Sequence, residues 1–123
     1  MRARVLLVLL GACLLSGCRT SDAIPSNPRA FAGVYSYRSV DTSADKPTDH
    51  ELDRLTLQPG GRYVLVRGGS TKARSEEVGE WRLFGGDRPS IGLGHAGYPI
   101  QMAGHEVRLL INEDLGEWWA KTS

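Results

Sequence analysis

Short alternating runs separated by glycine-rich turns constrain the fold of this chain more than any other feature. In the stretch LDRLTLQPGGRYVLVR, residues 52–67, two β-rich runs flank a PGG turn. Glycine adopts the positive φ angles that such tight turns require. Alternation places Leu55 and Leu57 on one face of the first run. It places Tyr63 and Leu65 on one face of the second run. The stretch therefore predicts a β-hairpin.

Similar runs continue beyond residue 31, and no window repeats apolar residues at helical spacing. Besides the hairpin, the predicted strands are residues 34–40, 78–84, 91–93, 100–102, 107–111 and 117–121. We therefore predict an all-β fold, an antiparallel meander of about eight short strands. Such a meander hides its edges either by closing into a small barrel or by stacking as a β-sandwich.

A charged start and an apolar run open the chain. Arg2 and Arg4 precede residues 5–15, which carry no charge. The run has the length of a secretory signal core and is shorter than the roughly 20 residues that cross a bilayer. The LSGC sequence that ends at Cys18 resembles the lipobox of bacterial lipoproteins. This resemblance implies cleavage before Cys18 and attachment of a diacylglycerol to its thiol. The alternative is an ordinary signal peptide followed by a chance cysteine.

The lipobox divides the chain into three predicted parts: a signal peptide (1–17), a lipidated tether (18–30) and a β-barrel domain (31–123). Cys13 would leave with the signal, so Cys18 would be the single cysteine of the mature chain. A capped thiol neither forms a disulfide within the monomer nor catalyses a reaction. In the Gram-negative sorting pattern, aspartate after the anchored cysteine favours the inner membrane. Because Arg19 stands there, we expect an anchor in the outer membrane, facing the periplasm.

The charge balance excludes some partners. The chain has 15 Lys and Arg against 14 Asp and Glu, and loss of Arg2 and Arg4 with the signal would make the net charge minus one. Such a balance argues against a nucleic-acid partner and against a polybasic membrane patch. The expected membrane contact is therefore the lipid on Cys18.

A second resemblance concerns the folded part. Gly33-Val34-Tyr35 reads as G-x-Y, residues 55–63 as L-x-L-x-P-x-G-x-Y, and residues 79–83 as G-x-W-x-L. In this order the motifs resemble small lipocalin-like barrels of bacterial envelope lipoproteins, including the copper-resistance and envelope-stress type. Those copper-linked proteins carry a close cysteine pair near the start of the barrel. This chain has none, so the resemblance implies the architecture and not copper handling.

Two motifs suggest cofactors and are assigned to loops instead. Residues 92–97 spell G-x-G-x-x-G, but a dinucleotide fingerprint must open a helix, and Tyr98-Pro99 follows directly. His50, His95 and His105 lack the H-x-H or H-x-x-x-H spacing of a local metal site. We therefore predict no cofactor and no metal.

The charged side chains near His50 have a simple interpretation. Asp49, Glu51 and Asp53 are accompanied by Arg54, which fits a solvated strand edge. No serine lies in a G-x-S-x-G elbow. We therefore predict that the protein is not an enzyme.

The adjacent tryptophans Trp118 and Trp119 must point to opposite faces of a strand. Glu117 and Lys121 share the parity of Trp119. This parity predicts Trp118 in the core and Trp119 outside, where a large ring is a candidate anchor for a partner. The alternative is that the segment around Phe31 folds back over Trp119.

Together these features predict a lipid-anchored, non-catalytic protein of the bacterial envelope that binds a small apolar ligand or a protein partner. The alternative function is that of an inhibitor or immunity lipoprotein that blocks an envelope-attacking hydrolase. Such an inhibitor would present a rigid protruding loop, and residues 70–77 are the candidate.

Overall fold

The structure, a computed structural model, describes residues 23–40, 50, 52–69, 73–94 and 96–123. Eight antiparallel strands form a closed barrel in chain order. They are β1 (Gly33–Ser39), β2 (Arg54–Leu57), β3 (Arg62–Arg67), β4 (Ser75–Phe84), β5 (Ser90–Leu93), β6 (Ala96–Ala103), β7 (Glu106–Asn112) and β8 (Glu117–Lys121). The predicted all-β meander and its barrel form are confirmed, and the alternative of a β-sandwich is wrong. Within the described residues, no helix has the length and apolar character needed to span a membrane.

β2 and β3 form the predicted hairpin. The four apolar residues that define its inner face are buried and lie directly opposite one another in pairs. Gly61 takes a φ of +95° in the turn. The Gln58 N–H donates to the Arg62 carbonyl at 2.8 Å and closes the hairpin. The alternation of the sequence is therefore sufficient to set the register of this pair.

β1 closes the barrel by pairing with β2 on one side and with β8 on the other. Tyr35 lies opposite both Leu55 and Lys121, and Tyr37 lies opposite Trp119. Because opposed residues of an antiparallel pair share a face, the inward set can be followed around the whole barrel. The buried core comprises Phe31, Tyr35, Leu55, Leu57, Tyr63, Leu65, Trp81, Ile91, Leu93, Ile100, Val107, Leu109 and Trp119.

Two strands begin earlier than predicted. β4 starts at Ser75, so residues 75–77, expected in a loop, pair with β3. β6 starts at Ala96 rather than near Ile100, and the turn before it contains Gly94 at a φ of +56°. The longer β4 and β6 extend the barrel wall at the end where β3 and β5 finish.

A short 3₁₀ helix, Pro28–Phe31, closes the barrel end at which β1 begins. The Phe31 side chain is fully buried, and the Tyr35 hydroxyl donates to the Phe31 carbonyl at 2.6 Å. Lys121 Nζ donates to the Ala30 carbonyl at 3.1 Å. We call this the closed end of the barrel.

Two residues of the predicted tether, Ile24 and Ala30, pack against the core. Folded structure therefore includes residues that the sequence assigned to a solvated linker. Residues 1–22, which contain the predicted signal and Cys18, lie outside the described residues.

Candidate functional site

The end opposite the closed end, where β1, β3, β5 and β7 finish, is here called the mouth. A cavity of about 230 Å³ opens there, and it is lined by Leu65, Arg67, Glu77, Leu93, Ala96 and Tyr98. Leu65 and Leu93 belong to the buried core and give the cavity an apolar floor. Arg67 and Glu77, which are exposed, and the half-buried Tyr98 add polar groups to the lining. We call it the mouth cavity.

Strand register explains why Glu77 faces inward. Glu77 lies opposite Leu65, and Gly79 lies opposite Tyr63. Glu77 therefore shares the inner face of β4 with Gly79 and with the core residue Trp81. Sequence reasoning missed Glu77 because it placed residue 77 in a loop. Its parity with Trp81 is the signal that reveals it once β4 is extended to Ser75.

Gly79 makes room for Tyr63 inside the barrel. A Cβ atom at Gly79 would lie only 2.7 Å from Tyr63 Cε1 and 2.9 Å from the Tyr63 hydroxyl. The Tyr63 hydroxyl donates a hydrogen bond to Glu77 Oε2. The glycine thus lets the tyrosine ring lie along β4 and hold the Glu77 carboxylate at the mouth cavity.

This hydrogen bond changes the acidity of the phenol. The Glu77 carboxylate, first through the hydrogen bond and then with the help of burial, raises the pKa of Tyr63 to about 12. Ionisation of Tyr63 would lose the bond and place two negative charges side by side. The Arg67 guanidinium lowers the Tyr63 pKa and so acts in the opposite direction. Tyr63, Glu77 and Arg67 therefore share one electrostatic environment at the mouth.

Alkaline titration is expected to show Tyr63 ionising near pH 12 instead of at the usual pKa of 10.0. Because the folded pKa lies above that of the unfolded chain, this stabilisation is complete below pH 10 and is lost as the pH rises through 12. Glu77→Gln keeps an acceptor but removes the charge, so the Tyr63 pKa should fall back toward 10. Tyr63→Phe is made in both the unaltered protein and the Glu77→Gln variant. Subtracting the phenolate absorbance of each Tyr63→Phe protein from that of its parent gives the titration of Tyr63 alone. An identical titration with and without Glu77→Gln would contradict the assignment.

The segment that precedes β2 covers another part of the mouth. The His50 ring stacks on Tyr37, with centroids 4.0 Å apart and planes 14° apart. His50 Nδ1 lies 2.8 Å from Asp53 Oδ2, and Asp53 Oδ1 accepts the Gly68 N–H at 2.8 Å. The Tyr37 hydroxyl donates to Glu117, and the pKa of Tyr37 is raised, chiefly by burial. These contacts cover the part of the mouth where β8, β1 and β2 meet, on the side away from the cavity lined by β3 to β6.

No family model, curated protein or solved structure matches this chain. No residue role can therefore be taken from a relative, and the resemblance to lipocalin-like envelope barrels stays a prediction.

The histidine candidates do not gather into a site among the described residues. His50 is occupied by Tyr37 and Asp53, and His105 is exposed in the turn between β6 and β7. His95, Asp49 and Glu51 lie outside the described residues. Within the described ranges, no group of three or more His, Cys, Asp and Glu side chains is arranged to hold a metal ion.

The G-x-G-x-x-G stretch lies on β5, β6 and the turn between them, and it does not open a helix. A Cβ atom at Gly92 would lie 2.6 Å from Phe84 Cε2, so this glycine makes room for the Phe84 ring on the outer face. Gly94 supplies the positive φ of the turn. Gly92 thus has a packing role and Gly94 a turn role.

The orientation predicted for the paired tryptophans is wrong. Trp119 is 2% exposed and lies opposite Tyr37 and Leu109 in the core. The alternative, an outward Trp119 covered by the segment around Phe31, is not what buries this ring, because Trp119 lies on the inner face of the barrel among the core residues. Trp118 is the outward residue, half-buried, with the Arg108 guanidinium carbon 4.4 Å from its ring centroid. Trp119 therefore offers no surface to a partner.

Parity gives the wrong face for the β8 tryptophans because charged side chains can also point inward at the ends of a barrel. Glu117 lies at the mouth, where it accepts from the Tyr37 hydroxyl. Lys121 lies at the closed end, where it donates to the Ala30 carbonyl. Both side chains reach polar partners from the inner face of β8, and Trp119 occupies the inner position between them.

The loop proposed for an inhibitor is smaller than the sequence suggested. Residues 75–77 of the predicted loop form the start of β4, and Glu77 faces the cavity. Residues 70–72 lie outside the described residues.

Proposed function

We propose that this protein is a lipid-anchored, non-catalytic binding protein of the bacterial cell envelope that takes one small ligand with an apolar body at the barrel mouth. The observation that carries the proposal is the mouth cavity, an opening of about 230 Å³ with Leu65 and Leu93 at its floor. Concave sites with apolar walls and a few polar groups are typical of small-molecule binding.

The direction of the chain supports this arrangement. The amino-terminal segment enters the barrel at the closed end, through the 3₁₀ helix Pro28–Phe31. A lipid on Cys18 would attach the protein through that segment and leave the mouth at the far end of the barrel. A ligand that diffuses through the periplasm can then approach the cavity from the side away from the tether.

The anchor is tested by Cys18→Ser. Without the thiol no diacylglycerol can be attached, so we expect the protein to lose membrane partition and to accumulate as an unprocessed or soluble form. Detergent-phase partition and incorporation of labelled fatty acid measure the effect. The lipid anchor would be wrong if the variant still partitioned with lipoproteins and the unaltered protein took up no label.

The mouth cavity is tested with isohexanol, an uncharged apolar probe, titrated into the isotope-labelled full chain and followed by nuclear magnetic resonance. Saturable shifts are expected at the amides of Leu65, Leu93 and Ala96. Ala96→Trp should abolish them because the indole fills the cavity. Ala103→Trp, at the opposite end of β6 and on the outward face by alternation, is the matched control and should retain them. The absence of saturable shifts in the unaltered protein, or their persistence in Ala96→Trp, would refute the site.

A further inference from the structure

Two opposite charges face the mouth cavity from neighbouring strands without forming an ion pair with each other. Glu77 lies opposite Leu65 in β4, and Arg67 lies two residues further along β3, so the two occupy diagonal positions. Diagonal positions of this kind are about 7 to 8 Å apart at the backbone, within reach of long side chains. Yet none of the ion pairs among the described residues joins Arg67 to Glu77.

The two charged groups differ in how far they are already satisfied. Within the described residues, Glu77 accepts one hydrogen bond, from the Tyr63 hydroxyl, which fixes the carboxylate at the cavity and leaves its other lone pairs without a described partner. The Arg67 guanidinium takes part in no ion pair within the described residues, and its planar fork suits a carboxylate. One face of the cavity therefore offers an acceptor for a cation beside a bidentate donor for an anion.

The remaining lining is mainly apolar. Leu65, Leu93 and Ala96 supply aliphatic groups, and Tyr98 adds an aromatic ring. At about 30 Å³ for each water-sized group, the mouth cavity holds roughly seven or eight such groups. This is room for a branched aliphatic or small aromatic side chain.

We propose that the mouth binds a free α-amino acid with an apolar side chain. The ammonium group lies on the Glu77 carboxylate, the α-carboxylate on the Arg67 guanidinium, and the side chain on Leu65, Leu93 and Ala96. A zwitterion is the ligand class that uses both charges at once, since a monoanion would leave Glu77 unpaired and a monocation would leave Arg67 unpaired. This inference rests on the proposed function and names its ligand class.

Leucine is the probe, and three relatives each lack one of its parts: isocaproate has no amino group, isoamylamine has no carboxylate, and glycine has no apolar side chain. Each is titrated into the isotope-labelled full chain, and binding is read from the amides that line the cavity. Leucine is expected to bind at least about tenfold more tightly than any of the three, the effect of losing one charge-assisted hydrogen bond or the apolar contact.

Substitutions assign each charge to its partner. In the Glu77→Gln variant, leucine and isocaproate should bind with similar affinity, because the amino group of leucine has lost its partner. In the Arg67→Gln variant, leucine and isoamylamine should bind with similar affinity, because the carboxylate of leucine has lost its partner. Arg62→Gln and Glu80→Gln are matched controls, since these residues oppose each other on the outer face of β3 and β4 and should leave leucine binding unchanged.

The outcomes separate this inference from the proposed function. Isocaproate or isoamylamine binding as tightly as leucine would overturn the zwitterion and leave a site for a singly charged ligand. If leucine failed to bind while isohexanol still shifted the cavity amides, the amino-acid proposal would be wrong and the mouth would remain a binding site for uncharged molecules. Failure of both probes would remove the proposed function as well.

Discussion

Trp119→Ala is expected to destabilise the barrel by about 3 to 5 kcal/mol, the usual cost of truncating a buried tryptophan to alanine. Trp119 is 2% exposed and meets the Tyr37 ring edge-on, with centroids 6.3 Å apart. Since small domains are stable by only about 5 to 15 kcal/mol, this loss is a large part of the total. Urea unfolding followed by far-ultraviolet circular dichroism measures it.

Trp118→Ala is the matched control, because the same side chain is removed from the neighbouring residue on the outer face. Its ring is half-buried and holds Arg108 by a cation–π contact, so we expect a loss of about 1 kcal/mol or less. Equal losses at both positions would mean that Trp118 is packed as firmly as Trp119.

A conservative change at Trp119 separates packing from hydrogen bonding. The Trp119 indole N–H is buried without a partner in the described part of the chain. Trp119→Phe therefore removes no hydrogen bond and should cost clearly less than Trp119→Ala. A cost as large as that of alanine would show that the N–H has a partner in solution.

Phe31→Ala should cost a similar amount, about 3 to 5 kcal/mol, because Phe31 is fully buried at the closed end. Loss of its ring would also loosen the 3₁₀ helix whose carbonyl accepts from Tyr35. The free energy of unfolding, measured in urea, is again the readout.

The chain contains one other phenylalanine, which supplies the control. Phe84 is 51% exposed and covers Gly92 on the outer face of the barrel. Phe84→Ala removes a cross-strand contact of roughly 0.2 to 1 kcal/mol and should be tolerated. If Phe31→Ala were no more costly than Phe84→Ala, the closed end would not be part of the core.

The elements that local rules predict well are those with partners nearby in the chain. Alternation and a glycine turn are enough to predict the β2–β3 hairpin, and the prediction of its four inner residues is confirmed. β8 was misread because Glu117 and Lys121 make their hydrogen bonds to Tyr37 and Ala30, which no local pattern shows. Parity is a sound guide in the middle of a barrel strand and a poor one at its ends.

The candidate site was harder to predict than the fold. The mouth cavity takes its lining from four strands, β3 to β6, and these residues meet only once the register of three neighbouring pairs is fixed. The sequence predicts a loop at Glu77 because the polar SEE sequence at the start of β4 has no alternation. An inward carboxylate interrupts the apolar pattern by which strands are recognised in a sequence, so a strand that carries one is easily missed.

The motif glycines have packing explanations. A Cβ atom at Gly33 would lie 2.1 Å from the Ser123 carbonyl oxygen, and one at Gly79 would collide with Tyr63. Gly61 supplies a positive φ. The residues behind the resemblance to lipocalin-like barrels thus serve chain closure and turns, whereas the charged pair at the cavity lies outside those motifs.

The way the barrel closes has a consequence for how fast it can form. Among the described strands, every pairing but one joins neighbours in the chain, and the exception joins β1 to β8. At this seam the Thr122 hydroxyl donates to the Val34 carbonyl, 88 residues away along the chain. Hairpins assemble locally in roughly microseconds, but the seam must overcome the loop-closure entropy of nearly the whole domain. We therefore expect the meeting of the first and last strands to limit the folding rate, on the roughly millisecond-to-second scale of β-proteins rich in non-local contacts.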